Sequence, residues 1–420
     1  MGSNRWSQQR LSKGGTMSTS FIYHAMGLQA YEYVRQEFEG GRVFFRVRPK
    51  WRLLRCSACQ SKRVIRRGQY LRKLRSVPIG RKPVWLTVEV PRVHCLVCGC
   101  IRRIRLVIAE PNRSYTRAFA RYILDLTKVM TLKDVALFLG IGWDCVKDIL
   151  KRNLAHRFSR PKLSKVRYLA IDEISVKKGH KYLTLVMDLD SGRILFVGDG
   201  KGADALKPFW KLLRRSRAAV QAVATDMSAA YIAAVLENLP GVPLVFDHFH
   251  VVKLMNEALT QIRRGLYHEL KDSMGKNVLK GSRWILLKNP ENLSLKCDEA
   301  AKLQKALKLN EPLATAYYMK EDLRQFWSQG DKETARLVVD SWIERAQTSG
   351  IAHLIRMGNT LAGLKFGILN WYDHAISSGP LEGTNNKIKV LRRMAYGFRD
   401  MEFFKLRILA IHEAKYALTG

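Results

Sequence analysis

The alternation of hydrophobic and polar residues changes its period several times along the chain. Apolar and polar residues alternate from Val84 to Val90, which predicts a strand within an elongated hairpin. Helical spacing of the apolar residues begins at Arg113 and continues to Met130. Two further apolar stripes, separated by Gly140, follow in residues 131–152, and this layout predicts a helix-turn-helix. An ordinary helical hairpin has the same pattern.

Strand-like segments begin after Pro161 and then alternate with helical ones. Three strands come first, over RYLAID, KYLTLVMDLD and RILFVGDG. A helix, a strand ending at Asp226, a second helix and a strand ending at Asp247 follow. The order β-β-β-α-β-α-β predicts an RNase H-like core. A long run of helix-forming sequence then extends to near Asn370, and a last helix opens at Pro380.

Four of the seven cysteines form two Cys-x-x-Cys pairs. The pairs are Cys56 with Cys59 and Cys95 with Cys98. Each pair places two sulfurs on one side of a tight turn, and four thiolates complete the tetrahedron that a structural Zn²⁺ prefers. We therefore predict one zinc ion in a ribbon; two unrelated reduced pairs are the alternative. His94 and Cys100 are spare donors, for which we prefer a role outside the zinc site.

These patterns predict a multidomain α+β chain. Its parts are residues 1–16, a candidate tag or upstream extension; 17–110, an N-terminal arm and the zinc ribbon; 111–160, the helix-turn-helix; 161–256, the first part of an RNase H-like α/β catalytic core; 257–370, an all-helical insertion; and 371–420, the last core helix and the C-terminus. The insertion splits the core before its last helix.

The charge is large and unevenly placed. The chain has 73 Lys and Arg against 36 Asp and Glu, a formal net charge of +37. Residues 41–105 contain 19 of these basic residues and one acid, Glu89. A run of one sign repels itself unless phosphates neutralise it, so we expect a nucleic-acid partner. We find neither a membrane-spanning apolar run nor a secretory signal, and we expect a cytoplasmic, nucleoid-associated protein without a membrane partner.

Three carboxylates fall where the predicted topology brings them together. Asp172 and Asp226 end two strands that are neighbours in the RNase H-like order, and Glu382 opens the last helix. Such a trio suffices to hold the two Mg²⁺ (or Mn²⁺) ions that phosphoryl transfer between nucleic-acid strands uses. Alternatively, the aspartates form turns and Glu382 is a favourable acid at a helix N-terminus. Asp247 is the rival for the second position, and we give it a supporting role with His250.

Candidate DNA contacts lie in three places. They are Asn386, Lys389, Arg392 and Arg393 on the last helix, Trp143 and Lys147 at the start of the recognition helix, and Arg66 and Arg67 in the ribbon. Helical spacing puts Asn386, Lys389 and Arg393 on the face of Glu382, where they would point at the DNA backbone.

From Arg55 to Ile411 the chain resembles the ISL-three family of bacterial insertion-sequence transposases. The matching stretches are CSACQSK, HCLVCGC, AIDEISVKKGHKYLT, ATDMSAAYIAAV, PLVFDHFHVVK and SGPLEGTNNKIKVLRRMAYGFRD. The resemblance implies a DDE motif on Asp172, Asp226 and Glu382, and an Asp-x-x-His motif of related insertion-bearing transposases on Asp247 and His250. IRRIRLVIAEP, after the second cysteine pair, lacks the family's phenylalanine–glutamate pairing, which bears on the packing of the ribbon.

The resemblance and the residues together predict a DDE transposase. We expect it to bind the terminal inverted repeats of an insertion sequence, to cut DNA with metal dependence and to join the freed end to target DNA. Synapsis of two ends leads us to expect a homodimer or a higher oligomer. An RNase H-like nuclease without strand transfer and a non-catalytic zinc-finger DNA-binding regulator are the alternatives, and the intact carboxylates count against the regulator.

Overall fold

The computed structural model describes residues 19–177, 181–270, 273–295, 297–308 and 310–413. Apart from the C-terminal residues 413–420, the chain divides into two compact units, 1–156 and 157–412. The segment 1–16, the candidate tag, lies outside the described residues. None of the described helices combines the length and the apolar character needed to span a membrane.

An open five-stranded sheet begins the first unit. Its elements are α1 (Thr19–Met26), β1 (Tyr31–Glu39), β2 (Arg42–Pro49), β3 (Val64–Ile79), β4 (Lys82–Cys95) and β5 (Ile101–Arg103). The strand order is β1-β2-β4-β3, with β5 paired to the end of β4. The predicted hairpin is β3–β4, and the apolar positions from Val84 to Val90 are buried as the alternation required. The sequence did not predict the β1–β2 hairpin, whose β2 runs parallel to β4.

The helix-turn-helix follows in the same unit. Its helices are α2 (Arg117–Leu126), α3 (Leu132–Leu139) and α4 (Trp143–Phe158). Gly140 ends α3 in the left-handed conformation (φ 61°), which glycine adopts without strain. Val135, Val146 and Ile149 are buried together, as predicted. Trp143, which the sequence placed in the same apolar stripe, is instead 54% exposed.

The second unit contains the predicted core. Its first elements are β6 (Tyr168–Lys177), β7 (Lys181–Asp188), β8 (Arg193–Asp199), α5 (Ala203–Ser216), β9 (Ala222–Thr225), α6 (Ala229–Asn238) and β10 (Leu244–Phe246). The order β10-β9-β6-β7-β8, with β6 antiparallel to β7 and parallel to β9, is the predicted one. One boundary was wrong: β6 does not end at Asp172, because its ladder with β7 continues past the buried Ile174 to Lys177.

Helices make up the rest of the second unit in the described residues. They are α7 (His248–Glu269), α8 (Ser273–Gly281), α9 (Glu299–Lys308), α10 (Glu311–Gln325), α11 (Lys332–Thr348), α12 (Ala352–Leu369), α13 (Gly379–Met394) and α14 (Met401–Leu409). α12 returns the chain to β10, where a Cβ on Gly367 would lie 2.3 Å from the Phe246 ring. Asn370 then donates to the Leu244 carbonyl (2.9 Å). The helical insertion therefore closes against the sheet edge shortly before α13.

Candidate active site and zinc centre

Asp172 lies on β6, and Asp226 directly follows the neighbouring parallel strand β9. Ile171 is opposite Thr225 in the β6–β9 register. The residues that follow them, Asp172 and Asp226, therefore lie side by side. Burial raises the pKa of Asp172 to about 6; the Glu173 N–H, which donates to Asp172 Oδ1 (2.7 Å), opposes this, and the charge of Asp226 adds to it. The Ser228 N–H donates to Asp226 Oδ1 (3.1 Å). The two carboxylates thus lie side by side in a partly buried environment, where each charge disfavours the ionisation of the other.

Helix α13 is bound to this place by a hydrogen bond. Asn385 Nδ2 donates to Asp172 Oδ2 (2.8 Å), and the Arg392 guanidinium donates to the Val176 carbonyl further along β6. Glu382 is exposed and lies one turn before Asn385 on the same helix. The structure therefore brings Asp172 and Asp226 side by side, and it places Glu382 on the helix that contacts Asp172.

The sequence pattern did not lead us to Asn385, and we selected its exposed neighbour Asn386 instead. The buried face of α13 consists of Leu381, Thr384, Asn385, Ile388 and Leu391. A polar amide within this apolar stripe is the signal that could have identified Asn385.

Asp247 is a structural anchor in this geometry. It is 3% exposed and caps α7, with Oδ1 accepting from the Phe249 N–H (2.9 Å). Its Oδ2 accepts from both the N–H (3.0 Å) and the hydroxyl (2.9 Å) of Ser378. His250 lies close enough to Asp172 for its charge to lower the pKa of that carboxyl. Both residues lie near the carboxylates, and Asp247 already has donors on each oxygen.

The oxygen atoms at this place suit a hard divalent cation. Asn385 Oδ1 is buried and has no hydrogen-bond partner among the described residues. It belongs to the amide that contacts Asp172, the carboxyl whose pKa burial and the charge of Asp226 raise. Carboxylate and amide oxygens are ligands that Mg²⁺ and Mn²⁺ accept, so the chemistry of Asp172 and Asp226, with Asn385 nearby, suits such ions. Glu382 does not form a compact group of three metal ligands with the two aspartates in the described residues.

The four predicted zinc ligands form one cluster. The Sγ atoms of Cys56, Cys59, Cys95 and Cys98 all lie within 4.8 Å of one another. The Cys56–Cys98 and Cys59–Cys95 separations are 3.6 and 3.5 Å, too long for disulfides and close to the edge of about 3.8 Å of a zinc–thiolate tetrahedron. Backbone N–H groups lower the pKa of Cys56 and Cys95, which favours the thiolates that zinc binds, whereas the neighbouring sulfurs raise the pKa of Cys59 and Cys98. Neither His94 nor Cys100 belongs to the cluster in the described residues.

Exposed arginines surround the zinc end of the sheet. We call Arg66, Arg67, Arg92, Arg102 and Arg103 the arginine tip; all five are exposed. Arg92 and Arg103 are directly opposite each other across β4 and β5, an arrangement that repulsion destabilises. Within the described part of the chain, none of the five has an acidic partner at salt-bridge distance, although Arg103 lies over the Tyr70 ring (4.2 Å).

A buried arginine ties the hairpin to the helix-turn-helix. Arg75 on β3 is 7% exposed and donates to the carbonyl of Leu139 at the end of α3 (3.0 Å). Its guanidinium lies 5.4 Å from the Trp85 ring and 5.6 Å from the Phe119 ring. No signal in the sequence distinguished Arg75 from the other basic residues of the ribbon.

The remaining candidate DNA contacts fall into two groups. Asn386, Lys389 and Arg393 are exposed on α13, whereas the contact with Val176 gives Arg392 a structural partner. On α4, Lys147 lies 5.9 Å from the Trp143 ring in the first turns of the helix.

Family models match all three predicted parts of the chain. The model described as "Transposase", of the ISL3 group, covers residues 169–408, and the "Helix-turn-helix domain of transposase family ISL3" covers 105–152. The "zinc-finger of transposase IS204/IS1001/IS1096/IS1165" covers 52–98. The chain belongs to the ISL3 transposase family. The resemblance seen in the sequence is thereby confirmed, and the ISL3 chain is a DNA transposase.

Similar proteins extend over almost the whole length of this ISL3 transposase. The transposase for insertion sequence element IS1001 of Bordetella parapertussis is 33% identical over 91% of this chain and 96% of its own length. The transposase for IS1557 of Mycobacterium tuberculosis is also 33% identical, over 91% of each chain. A solved Drosophila P element transposase strand transfer complex is 12% identical, with a TM-score of 0.32, over 61% of this chain and 79% of that chain.

Proposed function

We propose that this transposase cuts and joins DNA at a two-cation site held by Asp172, Asp226 and Glu382. The observation that carries the proposal is the side-by-side placement of Asp172 on β6 and Asp226 directly after β9, with α13 hydrogen-bonded to Asp172. Mg²⁺ is the expected ion, and Mn²⁺ is expected to replace it. When bound, such ions activate the attacking oxygen and stabilise the leaving oxygen.

The chain supplies position and charge to this chemistry. Asp172 lies on β6 and Asp226 directly follows β9, so the sheet holds both aspartates, and α13 carries Glu382 one turn before the residue that contacts Asp172. Asp172 binds a cation only as an ionised carboxylate. A protonated Asp172 must therefore lose its proton before the cation binds. Asp247 and His250 are supporting residues, the first through its hydrogen bonds to Ser378.

End recognition belongs to the first unit in this proposal. A zinc ion on the four clustered cysteines shapes the ribbon, the arginine tip contacts phosphates, and Trp143 and Lys147 read the terminal inverted repeats. Asn386, Lys389 and Arg393 contact the DNA backbone next to the active site. A homodimer or higher oligomer is expected, because two ends must be held at once.

Three single substitutions test the active site. Asp172→Asn, Asp226→Asn and Glu382→Gln each remove a cation ligand with little change of shape, so each should reduce Mg²⁺-dependent cleavage by about 1000-fold or more. Binding of end DNA, measured by gel shift, should remain. Near-normal cleavage by any one variant would show that its assignment is wrong.

A strand-transfer assay separates the transposase from a nuclease. Pre-cut end duplexes with a free 3′-hydroxyl should be joined to target DNA by the wild type in Mg²⁺. Hydrolysis of the ends without any joined product would instead support a nuclease.

A further inference from the structure

Helix α13 presents Glu382 between two hydrogen-bonded anchors. Before it, Ser378 donates its N–H and its hydroxyl to Asp247 Oδ2 (3.0 and 2.9 Å). After it, Asn385 donates Nδ2 to Asp172 Oδ2 (2.8 Å). Glu382 lies about one helical turn from each anchor, and its N–H bonds to the Ser378 carbonyl (3.4 Å). The start of the helix and its rotation about its own axis are therefore both fixed near Glu382.

The first anchor joins two helices that flank the insertion. Asp247 caps α7 with one oxygen and receives Ser378, the N-cap residue of α13, with the other. A carboxylate that is 3% exposed needs such donors, because burial of an unpaired charge is costly. This buried carboxylate therefore ties the end of β10 to the beginning of the helix that carries Glu382.

The second anchor leaves an unusual atom beside the carboxylates. Asn385 is 8% exposed, and its Oδ1 has no partner in the described residues. Because Nδ2 and Oδ1 belong to one planar amide, the bond to Asp172 also holds Oδ1 near that carboxylate. An apolar residue in this buried stripe would avoid the unfavourable free energy of an unpaired amide oxygen. Asn385 is therefore poorly explained by packing alone.

We propose that Asn385 and the Asp247–Ser378 pair are positioning residues of the cation site. They hold α13 so that Glu382 and the Asp172 carboxylate are available to the same ions. This inference rests on the proposed function, in which both carboxylates bind cations.

The test is a titration of the full chain with MnCl₂, without DNA, in which free Mn²⁺ is measured by electron paramagnetic resonance. Asn385→Leu removes the amide at similar volume and should weaken Mn²⁺ binding by about 10-fold or more. Ser378→Ala should weaken it by about threefold, since the backbone N–H still reaches Asp247. Both variants should melt within a few degrees of the wild type.

Two comparisons separate positioning from general damage to the fold. Asn386→Leu alters the adjacent exposed residue and should keep the wild-type Mn²⁺ affinity. In an Asp172→Asn background, Asn385→Leu should have little further effect, because it acts through the carboxylate that is already lost.

The outcomes distinguish this inference from the proposed function. Asp172→Asn with unchanged Mn²⁺ affinity would remove the proposed cation site itself. Loss of affinity in Asp172→Asn together with unchanged affinity in Asn385→Leu would overturn only the positioning role. An equal loss from Asn385→Leu in both backgrounds would overturn it as well. If Asn385→Leu does not fold, unchanged affinity in Ser378→Ala overturns the inference, and a threefold loss supports it.

Discussion

The aspartate pair of the second unit and the arginine tip of the first have opposite charges and the same physical character. Asp172 and Asp226 are adjacent carboxylates, and burial, together with the charge of Asp226, raises the pKa of Asp172. Arg92 and Arg103 are opposite each other in the β4–β5 register and have no acidic partner in the described residues. Each place therefore brings side chains of like charge close together along neighbouring strands.

The two regions differ in how rigidly the charges are held. Asp172 lies on the central strand β6 and is contacted by α13, and Asp226 directly follows the adjacent β9, as suits small cations that demand near-fixed geometry. The arginines are exposed on strand ends, as suits phosphates spaced along DNA. Unpaired charge therefore indicates a partner of opposite charge in both regions. The partly buried aspartates suit a small cation, and the exposed arginines suit a polyanion.

The largest expected effect on DNA binding comes from removal of the metal that shapes the ribbon. Cys98→Ser should lose bound zinc and weaken DNA binding by about 100-fold or more, because the strands that carry the arginine tip lose their common support. Elemental analysis and gel shifts provide the measurements. Cys297→Ser, at an exposed cysteine outside the cluster, is the control. Full zinc content in Cys98→Ser would contradict the assigned ligand.

Next comes the recognition helix, where base contacts rather than phosphate contacts are expected. Trp143→Ala combined with Lys147→Ala should weaken binding to the correct end duplex by about 10- to 100-fold and binding to random duplex much less. Competition gel shifts with both duplexes measure the ratio. An equal loss on both would mean that the helix-turn-helix is a structural hairpin and that the ribbon reads the ends.

A smaller and sequence-independent effect is expected at the arginine tip. Arg102→Ala with Arg103→Ala should lower the slope of log K against log salt by about 0.9 for each lost phosphate contact and weaken all duplexes by about tenfold. Arg48→Ala is the control, because Arg48 is already paired with Glu32 (2.8 Å). A salt slope equal to that of the wild type would remove the tip from the DNA interface.

The smallest effect concerns stability without metal or DNA. Because the folded-state pKa of Asp172 is raised to about 6, ionisation destabilises the fold as the pH rises from about 4 through 6. Asp172→Asn should therefore be more stable than the wild type at pH 7.5, on the order of 1 kcal/mol after allowance for partial exposure. Thermal melts should show the gain disappearing below about pH 4. A variant less stable at pH 7.5 would contradict the destabilisation of ionised Asp172 by burial and by the charge of Asp226.

Residue types and their spacing along the sequence determined many of the local features of this protein. Alternation around Val84–Val90 predicted a strand, the two Cys-x-x-Cys pairs predicted the thiolate cluster, and Gly140 predicted the break between α3 and α4. The β6–β9 neighbourhood followed from the order of elements. These features depend on residues close together in the chain or on a topology with few alternatives, so residue type and spacing suffice to predict them.

Only the tertiary structure decided how the site is held together. Asn385 contacts Asp172 across 213 positions of sequence, and Ser378 contacts Asp247 across 131. Asn385 and Asn386 are the same residue type, and the rotation of about 100° between neighbours in a helix puts one against the sheet and the other in solvent. The apolar stripe of α13 indicates which face is buried, but the contact of that face with Asp172 depends on where the helical insertion returns to β10 and where α13 begins. Those positions are set by packing over the second unit and have no local signature in the sequence.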